Sequence, residues 1–485
     1  MPGDGQFWSV NNGQIERLSA DSNWRSDWSH IVVGNFSGSG ADDFLFYDPR
    51  GRVGSFWRSS DNFRQSDLIL THPGWRPTWT HIIPGNFSGS RFTDLLFYDS
   101  TNGQGDFYST DGTGNMTLIR RHTGWRTTWT HIIPGNFSSS EFTDLLFYDA
   151  QAGQGDFYAT NGAGEMALLR RHTGWRNTWA QIVPGKFGPT SVPPAEDFTD
   201  LLFYDPQAGD GVFYTTNGAG EVALLKQYTG WRNTWTQIVP GDFGLPHSPG
   251  SALLFYDALA GHGFFYKIDS QLEMSLIAQH TDWRSDWSHI VPCGATSGTL
   301  LFYTGNLPTV RLHVKILVQP NVGIPNMVRS MNEIFASVGV RVELLSYENL
   351  NIPGLNTVNL ATSPGVQPCI GGLASAQQQA LHANRNFAGA NDVVAYFILA
   401  FNQAFGGCAS VQAGSPQANI VVRNANRWVL AHEVGHNIGL NHPDPPPAPL
   451  LPERLMTRGA INPANPPPDV ITSERQTMIN NPFTV

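Results

Sequence analysis

The chain has little charge, little sulfur and no long apolar run. Asp, Glu, Lys and Arg make up 14% of its 485 residues, and the formal net charge is −10. No Lys/Arg cluster stands out against that acidic balance, which excludes a phosphate-tracking surface and makes nucleic acid an unexpected partner. No apolar stretch reaches the ~18 residues that cross a bilayer, so no membrane span is expected. The first residues, Met1 to Gln6, show neither a charged n-region nor an apolar h-region. The expectation is a leader already removed or an unconventional export route. There are three cysteines, Cys293, Cys369 and Cys408, so they cannot all pair within one chain. Cys369 and Cys408 fall in the same C-terminal region, where one disulfide is an open option. A thiol-poor, weakly charged chain fits a secreted protein.

What the chain has instead is 50 Gly, 33 Pro, 15 Trp and 29 Phe. Many aromatics and turn-formers with few charges point to all-β architecture, and the length calls for more than one domain. The segment His-Thr-Gly-Trp-Arg-Thr-Thr-Trp-Thr-His-Ile-Ile-Pro-Gly-Asn-Phe around Trp125 recurs along the chain. Its first Trp returns as Trp24, Trp75, Trp125, Trp175, Trp231 and Trp283, a period of about 50 residues in the range of propeller blades. Each copy continues with Leu-Leu-Phe-Tyr-Asp (Leu95 to Asp99), Gly-x-Phe-Tyr (Gly105 to Tyr108) and an alternating run (Met116 to Arg120). That is four short strands per repeat, separated by turn residues. The chain starts on a third-strand sequence, Gly5 to Trp8, and the repeats end on a second-strand sequence, Leu300 to Tyr303. Two strands from each end then complete one blade and remove the free edges. The expectation is a six-bladed β-propeller over 1–305.

Two recurring features of the propeller are candidate sites. The loop between strands one and two resembles the calcium loops of FG-GAP or VCBS-type repeats in secreted bacterial proteins. It reads Asn35, Ser37, Ser39, Gly40, Asp43, then Asn86, Ser88, Ser90, Asp94, then Asn136, Ser138, Ser140, Asp144. One carboxylate per loop is sparse for a cation that takes six to eight oxygens, so a polar turn competes with structural Ca²⁺, and the loops after Asp242 and Cys293 lack the final Asp. The second feature is an Arg after every first Trp. Pairs such as Trp75/Arg76, Trp125/Arg126 and Trp175/Arg176 suit stacking on a sugar ring, or equally packing between blades with Arg over the indole.

From about Asn306 the repeat stops and strands alternate with helices. Val310 to Gln319 reads as a strand, Pro325 to Val338 as a helix, and Val340 to Tyr347 as a strand. Asp392 to Phe401 is a buried strand, Gly406 to Gln412 an edge strand, Ala418 to Val422 a further strand, and Arg427 to Leu440 a helix. That helix carries His432-Glu433-Val434-Gly435-His436-Asn437-Ile438-Gly439-Leu440-Asn441-His442. Residues four apart share a helix face, so His432 and His436 can present two imidazoles to one metal. Glu433 is placed to act as general base on water there. Gly439 suits a positive-φ helix stop, after which His442 can supply a third nitrogen. Three protein ligands with a fourth position open are the pattern of catalytic zinc.

The extended motif, with Met456 fourteen residues beyond His442, resembles the metzincin metallopeptidases over roughly 306–485. The resemblance implies one catalytic Zn²⁺, Met456 as a hydrophobic floor beneath it, and the segment after Met456 as a wall of the substrate pocket. It also implies that the edge strand near Gly406 to Gln412 holds substrate extended by β-augmentation, and that a final helix lies at about Thr472 to Asn480. His442 is followed by Pro443 and Asp444, somewhat as in the serralysin branch, but no Tyr follows Met456 and no Gly-rich calcium nonapeptides follow. Pro443 to Pro452 is unusually Pro-rich. Pro292-Cys293-Gly294 is faintly similar to the cysteine switch of matrixins, yet it aligns with Ile-Val-Pro-Gly of the other repeats, which makes Cys293 a propeller residue.

Together these readings point to a secreted zinc endopeptidase acting on protein or peptide substrates. The propeller would target it to a glycan, glycoprotein or other protein ligand. A lectin-like adhesin with a vestigial peptidase domain is the competing class, and the retained Glu433 argues against it.

Overall fold

In a computed structural model, the described residues are 3–39, 42–60, 62–188, 198–243, 252–258, 260–284, 286–293, 298–305, 308–336, 340–360, 369, 374–410, 417–442, 455–456, 470, 474, 477–478, 481 and 483–484. The chain divides into two compact units, Met1–Asn306 and Leu307–Val485.

The first unit is a six-bladed β-propeller made of six four-stranded antiparallel sheets. Blade one runs through His30–Gly34, Asp43–Asp48, Val53–Ser60 and Gln65–Pro73, and blades two to five repeat that order. Blade six is built from both ends of the region. Gly3–Asn11 pairs antiparallel with Thr299–Thr304, in the register Gly5↔Tyr303 to Ser9↔Thr299. The second strand of every blade is buried at each residue. It therefore reads as an unbroken apolar run closed by Asp or Thr.

Two rings of hydrogen bonds join the blades. In the first strand, His30 Nε2 donates to the Thr80 carbonyl (3.1 Å), His81 to Thr130 (3.3 Å) and His131 to Ala180 (3.1 Å). Gln181 and Gln237 take the same role toward Trp235 and Trp287, and His289 closes the circuit on Ser29 (3.1 Å). In the second strand, the buried Tyr98, Tyr204, Tyr256 and Tyr303 donate to the carbonyls of Arg126, Arg232, Arg284 and Arg25 (2.5, 2.7, 2.7 and 2.7 Å). Tyr47 and Tyr148 do the same to Arg76 and Arg176.

Each repeat's first Trp lies against the glycine of the preceding blade's third strand. A Cβ on Gly155 would fall 2.3 Å from Cζ3 of Trp175. Cys293 ends the propeller strand His289–Cys293, wholly buried and outside any disulfide, as its alignment with the repeats implied.

The second unit is a five-stranded mixed sheet in the order Arg341–Asn349, Thr309–Ile316, Val393–Ile398, Ala418–Val422, Gly407–Ser410. The first four strands are parallel and the last is antiparallel, at the edge. Helix Ile324–Ala336 buries Met327, Met331, Ile334 and Phe335, the i, i+4 stripe read from the sequence. A short helix, Ala376–His382, was not anticipated; Ser375 caps it in a capping box with Gln378.

A second surprise is polar. The strand Thr309–Ile316 alternates as expected, but its His313 and Lys315 are fully buried too. His313 sits between Ser346 Oγ (2.7 Å) and Asp392 Oδ2 (3.0 Å), and the Lys315 ammonium donates to Glu348 (2.5 Å) and the Asn386 carbonyl (2.7 Å). The groups are buried because each has a partner. Cys369 and Cys408 form the disulfide left open by the sequence, with Cα atoms 5.1 Å apart. The Pro-rich stretch Pro443 to Pro452 and most of the expected final helix lie outside the described residues.

Gly155→Val should lower the unfolding free energy of the propeller by ~1–3 kcal/mol through overpacking against Trp175. Urea denaturation of the full chain, followed by tryptophan fluorescence, measures this.

Candidate active site

The helix that carries the histidines is Val429–Asn437, shorter at both ends than the periodicity predicts. Its start is set by Trp428, fully buried with the Arg427 guanidinium 4.1 Å over its ring. It stops because Gly439 adopts φ +97°, in the left-handed region that favours glycine. The chain then reverses and brings His442 back. His432, His436 and His442 converge, with potential ligand atoms all within 4.8 Å of one another. Nε2 of His432 and Nε2 of His442 are 3.0 Å apart.

Backbone carbonyls orient two of the rings. His432 Nδ1 donates to Leu455 O (2.7 Å) and His436 Nδ1 to Leu440 O (2.8 Å). Each bond fixes the tautomer and leaves Nε2 as the lone-pair nitrogen. Burial depresses both imidazoles, His432 to about 3 with help from the neighbouring His436. Both rings are therefore neutral near pH 7, as a metal ligand must be.

Glu433, on the same helix, packs against the edge strand. Burial pushes its carboxyl up to about 8, against one backbone hydrogen bond from Ala409. The strand makes room for it with Gly407, where a Cβ would fall 2.4 Å from Glu433 Oε1 and 2.6 Å from Cγ. Met456 is buried, and its Sδ would be 2.9 Å from a Cβ on Gly435, between the two helical histidines. Asn437 ties the helix to the sheet: Asn419 Nδ2 donates to its Oδ1 (2.8 Å), and its own Nδ2 donates to Gln417 Oε1 (3.3 Å). Gly407, Leu455 and Asn437 were not picked out from the sequence. Gly407 and the Leu455 carbonyl act through backbone position, and Asn437 through a neighbour eighteen residues away in the chain. The segment after Met456 lies outside the described residues.

Residues 323–443 match the family model for metallo-peptidase family M12B, reprolysin-like. The match lies within the C-terminal unit, which therefore contains a reprolysin-like metallopeptidase domain. No curated protein matches the chain. Among solved structures, similarity is low. A 6-phosphogluconolactonase candidate of Bacteroides fragilis is 8% identical, covering 59% of this chain and 84% of its own, with TM-score 0.38. The periplasmic gluconolactonase of Pseudomonas aeruginosa is 12% identical over 59% of this chain and 79% of its own, with TM-score 0.34. No helix among the described residues is long and apolar enough to cross a membrane.

The propeller's candidate sites have definite surroundings. Asp43 Oδ2 accepts from Phe36 N (2.8 Å) and Ser37 N (2.6 Å); Asp94 and Asp144 accept from Phe87 N and Phe137 N (both 2.8 Å). Asn35, Asn86 and Asn136 accept from amides three residues on. The loops are thus closed by their own backbone, and Gly40 lies outside the described residues. Trp75, Trp125 and Trp175 are half-buried and pack edge-on against Phe97, Phe147 and Phe203 of the next blade. Arg76, Arg126 and Arg176 lie over the second Trp of the motif, 5.2, 5.1 and 4.9 Å from the rings of Trp79, Trp129 and Trp179.

Gly407→Ala in the metallopeptidase domain should displace the Glu433 carboxylate and cost ~1–3 kcal/mol in stability. Differential scanning calorimetry of the full chain would show a lowered transition; an unchanged transition means the edge strand yields freely.

Proposed function

We propose that the chain is a secreted zinc endopeptidase whose propeller targets it to its substrates. The observation that carries this is the convergence of three imidazoles, His432, His436 and His442, with Glu433 on the same helix as the first two. The donor set fits the metal: nitrogen ligands only, two of them locked by carbonyls, and three in number so that one coordination position stays open. Zinc, when bound, supplies Lewis acidity toward the substrate carbonyl and the attacking water.

The protein residues do the rest. In its ionised form, Glu433 accepts the proton of the attacking water and returns it to the leaving amine. Met456 backs the helix between the histidines. The Gly407–Ser410 strand, at the sheet edge, is where an extended peptide would add as a further strand. A disulfide through Cys408 of that strand suits an oxidising compartment. The competing reading, an adhesin with a vestigial peptidase domain, has the retained Glu433 against it.

Purified protein is expected to carry one zinc per chain by elemental analysis, and His442→Ala to lose it. Glu433→Gln should keep the zinc yet cut casein or gelatin ~10²–10⁴-fold more slowly, the usual span for a general base. Wild-type activity no higher than that of Glu433→Gln, with zinc bound, would sink the enzyme reading.

A further inference from the structure

The six clefts between blades share one plan and differ in what fills them. Each receives an Arg and two Trp from the connecting segment, and the third and fourth strands of the following blade face it. In the cleft before blade two, Asp106 and Arg121 form a bidentate ion pair (2.8 and 2.7 Å), with Gln104 donating to Asp106. Asp156, Arg171 and Gln154 repeat this before blade three, where Arg126 also reaches Gln154 (3.2 Å). Before blade four, Arg176 and Gln227 both bond Asp210. Before blade five, Phe264 lies under the Arg232 guanidinium at 4.8 Å and against Trp235 at 5.4 Å. Before blade six, Arg284 and Gln6 both reach Asp4.

The cleft before blade one breaks the series. The positions of Gln104, Asp106 and Arg121 are held by Val53, Ser55 and Thr71, and the two short side chains meet only each other, at 3.1 Å. Arg25 reaches Asp48, as Arg76, Arg126, Arg176 and Arg232 reach the equivalent Asp, and turns back to Asp27. What remains is a cavity of about 440 Å³, within the size range of small-molecule sites. Trp24, Trp28 and Trp57 line it over Phe44 and Phe46, and Asp21, Asn23 and Ser66 supply polar groups near its mouth. Trp57 stands where blades two to five have Tyr.

We propose that this cleft binds one pyranose ring. The aromatic lining offers apolar faces to the ring's C–H side, and Asp21, Asn23, Ser55 and Ser66 can exchange hydrogen bonds with its hydroxyls. Arg25 is already neutralised by two carboxylates, so the site is built for an uncharged ligand rather than an anion. This rests on the reading of the propeller as a binding module and not on the peptidase chemistry. It puts the sugar in the cleft of Trp24 and Trp28, because those of Trp75, Trp125 and Trp175 are filled by their own side chains.

The test uses the full chain and saturation-transfer NMR with glucose, galactose, mannose, fucose and N-acetylglucosamine. At least one should bind the wild type. The double variant Ser55→Asp/Thr71→Arg installs the ion pair of blades two and three and should weaken that binding at least about tenfold, or 1.4 kcal/mol, with an unchanged melting temperature. Trp57→Tyr, the residue blades two to five carry there, should also weaken it and serves if the double variant fails to fold. A sugar that binds wild type and both variants equally overturns this cleft while leaving a binding propeller. No sugar bound by the wild type overturns the sugar site and leaves the propeller as a protein-binding module. A glycan array then separates the sources: binding there assigns the occupant to a glycan terminus, and binding of the free monosaccharide alone to a soluble sugar.

Discussion

The propeller depends on one contact made six times: a buried second-strand tyrosine donating to the carbonyl of the Arg in the next Trp-Arg segment. A buried hydroxyl needs a partner, and here the partner belongs to the connection that enters the neighbouring blade. The contact therefore sets where that connection lies. Once the Arg carbonyl is fixed, the first Trp lies between the glycine of the third strand and the Phe of the next blade, and the guanidinium comes over the second Trp. Packing between blades and the position of each cleft follow from that placement.

The metallopeptidase domain uses the same kind of device. Two of its three histidines are oriented by main-chain carbonyls, from Leu455 and Leu440, and its buried carboxylate occupies space left by a missing side chain on the edge strand. The geometry is held by backbone, which is stiffer than a network of long side chains. Asn437, fixed between Asn419 and Gln417, then sets the helix against the sheet.

Much of this was legible because periodicity and spacing are direct records of geometry. The blade count follows from recurrence, and the ring closure from which strand each end of the region matches. The histidine cluster follows from the i, i+4 rule and a helix-stopping glycine. What escaped notice depends on tertiary neighbours. His313 and Lys315 fall on the alternate face of a strand, where sequence predicts exposure; Ser346, Asp392 and Glu348 make burial tolerable there. Gly407 is one of 50 glycines, and only the approach of Glu433 distinguishes it. The Arg residues were read as stacking on tryptophan, and they do so on the second indole of the motif.

In the propeller, a blade's role in the ring and the contents of its cleft are separable. The tyrosine and histidine rings hold the blades together through main-chain carbonyls, whereas cleft contents rest on two or three side chains facing inward from one blade. Exchanging those side chains changes what a cleft can admit and leaves the five other joints as they were. A ring of near-identical repeats can therefore diversify one compartment at a time, keeping its architecture constant while its ligand repertoire changes.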